Sequence, residues 1–81
     1  MKTLCEAVRD RIRFLLNEKG LNQNQLELNS DVSHGTMSGI MLNKNKSVDL
    51  MTAIKIAGGF EMPISDFLND SLFDEDNLRN Q

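Results

Sequence analysis

Gln23-Asn24-Gln25-Leu26-Glu27-Leu28-Asn29-Ser30-Asp31-Val32-Ser33-His34-Gly35-Thr36-Met37-Ser38-Gly39-Ile40-Met41-Leu42 is the stretch whose reading decides the fold. Asn22 is a good N-cap for a helix beginning at Gln23, with Gln25 three positions on to complete a capping box. Asp31-Val32-Ser33 interrupts that helix. Asp tolerates turn conformations, and Ser33 is a good N-cap for the next helix. The stretch therefore predicts two short helices broken by a tight turn, the second starting at Ser33. A helix-turn-helix unit of this kind is a device for seating one helix in the major groove of DNA.

The same reading extends to both sides. Upstream, Thr3 and Glu6 form a capping box, and Cys5, Val8, Ile12, Leu15 and Leu16 recur at helical spacing. Gly20 is placed to end that helix in a left-handed turn, so a helix is predicted over residues 4–19. Its other face carries Glu6, Arg9 and Arg13, and Arg9, Arg11 and Arg13 read as a solvated surface. Leu26, with Leu28 beside it, is expected to face inward from the second helix. Val32, Met37, Ile40 and Met41 mark the inner side of the third. Downstream, Asn43-Lys44-Asn45-Lys46-Ser47 is a polar, basic loop. Asp49 caps a fourth helix, with Leu50, Ile54 and Ala57 predicted to face the core, Met51 or Ala53 beside them, and Gly58-Gly59 to stop it. Pro63 suits the first position of a fifth helix, whose apolar face is Ile64, Phe67 and Leu68. Met37, Met41, Met51 and Met62 read as core filler, and Cys5 as a small buried hydrophobe. No period-two pattern of useful length is present. The expected fold is all-α, five short helices around one core, with a single domain over residues 1–73 and a polar, frayed tail over 74–81.

Composition narrows the function. A chain of 81 residues is one small domain, burying only about 60% of its unfolded surface. One Cys and one His exclude an internal disulfide and a Cys/His zinc site, which suits a reducing cytoplasm. The first residues acquire charge at once and do not read as a signal peptide, and no apolar run approaches a membrane span. Net charge is −3, but its distribution is uneven. Residues 1–60 hold eight Lys/Arg against six Asp/Glu, whereas residues 61–81 hold one Arg against six Asp/Glu. The front is mildly basic, and it is local charge that governs affinity for DNA. Paired carboxylates, a nucleophile elbow, a phosphate loop and a ligand cluster are all absent from the pattern, so neither an enzyme nor a bound cofactor or metal is expected.

These residues resemble the Cro/C1-type (XRE) helix-turn-helix regulators of the lambda-repressor-like fold. The segments carrying the resemblance are IRFLLNEKGLNQNQL, DVSHGTMSGIML, NKNKSVDLMTAIKIAGGF and ISDFL, together covering about residues 8–68. In overall style the chain is similar to small repressors of Gram-positive bacteria and their prophages. The resemblance implies that Gln23 holds a backbone phosphate. It implies that Ser33, His34, Gly35 and Thr36, with Ser38 and Gly39 one turn on, lie where base edges are read. It implies phosphate contacts from Asn43, Lys44, Asn45 and Lys46. A homodimer through the C-terminal region, where Leu72 and Phe73 either cover the domain's own core or meet a second copy, is the corresponding expectation. The function implied is sequence-specific regulation of transcription, by a repressor that occupies its operator. The alternative is a protein-interaction module, an antitoxin or an antagonist of another regulator.

Several positions depart from the family pattern. Glu27 stands where a small residue packs between the two helices, and Asp31 where the turn is usually Gly. Leu16 and Met41 replace an Arg and a Glu that pair with each other in the family. Gly35 and Gly39 stand where outward readout side chains are expected; Gly offers no group to a base and costs a helix about 1 kcal/mol against Ala. Two readings of these glycines stay open: a backbone lying close to the groove, or an operator read by few residues. His34, for its part, reads either as a DNA donor or as a solvated residue at a helix start.

Overall fold

The computed structural model describes residues 1–45 and 47–78. Five α-helices follow in order: α1 (Leu4–Lys19), α2 (Gln23–Ser30), α3 (His34–Met41), α4 (Leu50–Gly59) and α5 (Ile64–Phe67). Two single-turn 3₁₀ segments, Ser71–Phe73 and Glu75–Asn77, come after them. No strand is present among the described residues; Lys2 and Leu78 form one isolated bridge.

The helix ends form where local chemistry dictates. Thr3 and Glu6 make the reciprocal capping box of α1, and Gly20 closes that helix at φ 67°. Asn22 and Gln25 do the same for α2, which Asp31 closes in the left-handed region at φ 60°. Ser33 caps α3 and Asp49 caps α4 through hydrogen bonds to the N–H three residues on. Pro63 is the N-cap of α5 rather than its first residue, and α5 is a single turn.

The core is Cys5, Val8, Ile12 and Leu15 from α1, Leu26 from α2, Val32 from the turn, and Met37 and Ile40 from α3. Val48, Ala53, Ile56, Ala57, Phe60 and Phe67 complete it. α2 lies chiefly against α4, and α1 against α3 and Ser71–Phe73. Leu16 and Met41 are both partly buried against this core.

Several expectations are corrected. The fourth helix is apolar almost all round, so periodicity does not set its rotation. Its inner face is Ala53, Ile56 and Ala57, while Leu50 (64% exposed), Met51 and Ile54 (41%) point outward. Leu28 and Leu68 are likewise exposed, because Leu26 and Phe67 occupy the inward positions of their helices. α4 ends at Gly59, as expected, but the left-handed turn that follows is made by Glu61 (φ 59°) and not by a glycine. The segment after residue 73 is not frayed up to Leu78: Glu75–Asn77 is helical, and the Lys2 N–H donates to Asn77 O at 3.0 Å.

Gly59 has a packing role. A Cβ there would meet the Ser30 Cβ at 2.8 Å, Leu26 Cδ1 at 3.0 Å and the Ser30 Cα at 3.1 Å. The small residue that lets α2 approach its neighbour thus sits on α4. Backbone on the opposing side cannot swing away, so Gly59→Ala is expected to destabilise by about 1–3 kcal/mol despite the better helix propensity of Ala. Thermal unfolding followed by circular dichroism measures it.

Arg11 also departs from expectation. It is 8% exposed and lies between α1 and the end of α5. Its position three after Val8 and four before Leu15 places it on the inward stripe of α1.

Candidate nucleic-acid interface

The turn between α2 and α3 is assembled from short polar side chains. Ser30 is buried; its hydroxyl donates to Glu27 O at 3.5 Å and accepts from the Val32 N–H at 3.3 Å. The Asp31 N–H closes on Glu27 O at 3.1 Å, and Val32 inserts its side chain into the core. Ser33 then accepts from the Thr36 N–H at 3.2 Å and donates to Thr36 Oγ1 at 3.0 Å. Ser33 is thereby occupied as a cap, whereas the Thr36 hydroxyl hydrogen stays available on an exposed residue.

Met37 and Ile40 enter the core from α3, which turns the opposite side outward. His34, Gly35 and Thr36 are exposed there, and Ser38 and Gly39 are half-buried. The two glycines differ. Nothing lies within 4 Å of where a Gly35 Cβ would stand, whereas a Gly39 Cβ would be 2.9 Å from Asn45 Nδ2. The loop after α3 folds back over Gly39, with the Lys44 N–H bonded to Gly39 O at 2.9 Å and Asn43 in the left-handed region at φ 56°. Asn43, Lys44 and Asn45 are exposed beside the outer face of α3; Lys46 lies outside the described residues. Gly35→Ala is expected to stabilise by up to about 1 kcal/mol, since the added methyl meets no atom of the protein. A denaturant titration measures this, and loss of DNA affinity in the same variant would show that backbone approach to the groove depends on Gly35.

Glu27 joins three of the expected site residues, directly or in sequence. Its carboxylate accepts from Gln23 Nε2 at 3.0 Å through Oε2. His34 Nδ1 stands 3.0 Å from both of its oxygens. His34 Nε2 is in turn 3.2 Å from Ser38 Oγ. The result is a hydrogen-bonded row, Gln23–Glu27–His34–Ser38, running from the start of α2 across to α3. The Gln23 amide donor holds the Glu27 carboxyl below its usual range; desolvation opposes this and the His34 hydrogen bond reinforces it. The Glu27 side chain is only 10% exposed, while that of His34 is 77% exposed. Sequence reasoning registered Glu27 only as a large residue in a small residue's place. The four-residue spacing of Gln23 and Glu27 was the available signal. The seven residues from Glu27 to His34 span the turn and are not predictable from spacing.

Elsewhere among the described residues, ion pairs join Lys2 and Arg9 to Asp10, and Arg11 to Asp70. Arg9 and Lys2 both engage Asp10, which leaves Arg9 committed away from this face. Asp49, on the rim of a small recess lined by Thr36, Ile40, Asn45 and Thr52, has its carboxyl held below the usual range by the Thr52 N–H. Phe73 packs on Phe67, ring centroids 5.9 Å apart, so this end of the C-terminal region covers the domain's own core. No group of three His, Cys, Asp or Glu among the described residues is arranged to hold a metal ion, and no helix is long and apolar enough to cross a membrane.

Comparison with family models, with curated proteins and with solved structures returns no match to this chain.

Proposed function

We propose that this chain is a cytoplasmic, sequence-specific DNA-binding regulator of transcription, of Cro/C1-like, lambda-repressor-like type, acting as a repressor by occupying its operator. The observation that carries the reading is the outward row of α3, His34, Thr36 and Ser38, bracketed by Gln23 at the start of α2 and by Asn43–Asn45 on the other side. Such a layout suits a helix in the major groove with backbone grips at its two flanks. Readers are few. Thr36 has a free hydroxyl hydrogen, His34 and Ser38 are joined to each other, and Gly35 offers nothing. A second copy, placing another α3 one helical turn away, would compensate for so small a footprint. Phe73 being used internally, a homodimer through the C-terminal region would rest on Leu68 and Leu72.

The test is a salt-titrated binding measurement on DNA upstream of the protein's own gene, against competitor DNA. Specific binding well above competitor supports the reading, and equal binding to both rejects it. Lys44→Ala is expected to weaken binding uniformly across sequences and to reduce the salt slope by about 1, as for loss of one phosphate contact. An unchanged slope removes Lys44 from the interface.

Two observations favour the alternative, a protein-interaction module. The Glu27 carboxylate introduces negative charge beside the phosphate grip proposed at Gln23, and α4 presents Leu50, Met51 and Ile54 to the outside. A tight protein complex with no operator binding would decide for it.

A further inference from the structure

Resting on the DNA-binding reading, we propose that Glu27 is a positioning residue for base discrimination: by fixing the proton of His34 on Nδ1 it makes Ser38 Oγ a hydrogen-bond acceptor toward the groove. The geometry carries this in three steps. An ionised carboxylate only accepts, so His34 Nδ1, at 3.0 Å from both Glu27 oxygens, must carry a hydrogen. In the neutral ring Nε2 then has a lone pair and no hydrogen. At 3.2 Å, the one hydrogen that can join Nε2 to Ser38 Oγ is that of the Ser38 hydroxyl. Ser38 has spent its only donor on His34 and presents lone pairs alone.

Glu27 remains on the acceptor side of this row for a separate reason: the Gln23 amide donates to it and stabilises its charged form. Among the described residues, Glu27 is the only ion-pair partner of the ring, and no cation apart from His34 is paired to the Glu27 carboxylate. An acceptor at Ser38 suits the exocyclic amino group of adenine or cytosine in the major groove and is repelled by the keto oxygen of guanine or thymine. The predicted consequence is a preference for an amino base over a keto base on the contacted strand at one position of each half-site, by about 5-fold or more.

Glu27→Gln inverts the row. Its amide carbonyl still accepts from Gln23, but its NH₂ donates to His34 Nδ1. The ring hydrogen moves to Nε2 and bonds to Ser38 Oγ, freeing the Ser38 hydroxyl to donate. The experiment pairs two readouts on wild type, E27Q and S38A, each first checked for an unchanged helical spectrum. Imidazole ¹⁵N resonances of the free protein, under mildly alkaline conditions, report which nitrogen carries the hydrogen. Selection from a duplex library randomised over the half-site reports base preference. The expected result is an Nδ1–H ring in wild type and an Nε2–H ring in E27Q. With it goes a shift from amino to keto base at one position in E27Q, and loss of preference there in S38A. An Nε2–H ring in wild type, a ring unchanged by E27Q, or a base preference unmoved by either variant overturns the proposal. If wild type enriches no duplex over competitor, the DNA-binding reading itself fails and base discrimination by Ser38 fails with it. The ¹⁵N resonances still report the ring hydrogen in that event, so the two failures are told apart.

Discussion

Arg11→Ala is expected to lower the unfolding free energy by about 3 kcal/mol, seen as a lower denaturation midpoint with little change in slope. Arg11 Nε donates to Phe67 O at 2.8 Å and Nη2 donates to Asp66 O at 3.0 Å. Phe67 O lies at the C-terminal end of α5, where a four-residue helix supplies it no donor; Asp66 O, which also accepts from the Asn69 N–H at 3.2 Å, takes Arg11 as a further donor. The guanidinium also lies 5.9 Å from the rings of both Phe14 and Phe67. Its ion pair with Asp70, at 3.5 Å and partly exposed, adds little beside these charge-assisted hydrogen bonds. Truncation removes both donors and the packing of the stem together. Arg11→Lys is expected to recover less than half of the loss, because an ammonium does not present two parallel donors in one plane. A Lys variant as stable as wild type would show that only charge is needed here.

Phe67→Ala is expected to cost more, about 3–5 kcal/mol. The side chain is fully buried and is among the largest in the core. A domain of 81 residues has an unfolding free energy of roughly 4–12 kcal/mol in total, so this single change removes a large share of it. It also strips Phe73 of its tilted aromatic partner and is expected to loosen the segment leading to Leu78. Arg11 and Phe67 touch, so their losses should not add: the double variant is expected to lose less than the two single variants together. Strict additivity by urea titration would mean that the two residues support different parts of the core.

Arg11, buried where Arg13 two residues on is exposed, illustrates what a sequence does and does not disclose. Most helix ends were legible, since caps act over three or four residues: Thr3 with Glu6, Gly20, Asn22 with Gln25, Ser33 and Asp49 all function as their residue types suggest. Helix rotation was legible where one face is polar, as in α1, and not in α4, where Leu50, Met51 and Ile54 are as apolar as Ile56. Arg11 lies on the inward stripe of α1, but its residue type spoke for solvent, and only the carbonyls of a helix remote in sequence give it a reason to be buried. At the candidate site, the outward placement of His34, Gly35 and Thr36 followed from the helical period around Met37 and Ile40. Covering of Gly39 by Asn45 and the bond from Glu27 to His34 did not follow. Both depend on how a turn folds back, which no local pattern encodes.

The two helices of the candidate reading unit rest on different supports. α2 is seated on α4 through the bare backbone of Gly59, while α3 leans on α1, where the Cys5 thiol faces Ile40 O at 3.7 Å. Asp31 and its neighbours are the joint between them. The pair therefore behaves like the jaws of a caliper whose opening is set by the frame behind it. A lesion deep in the α2–α4 seam is expected to change the span from Gln23 to Ser38 without touching either residue.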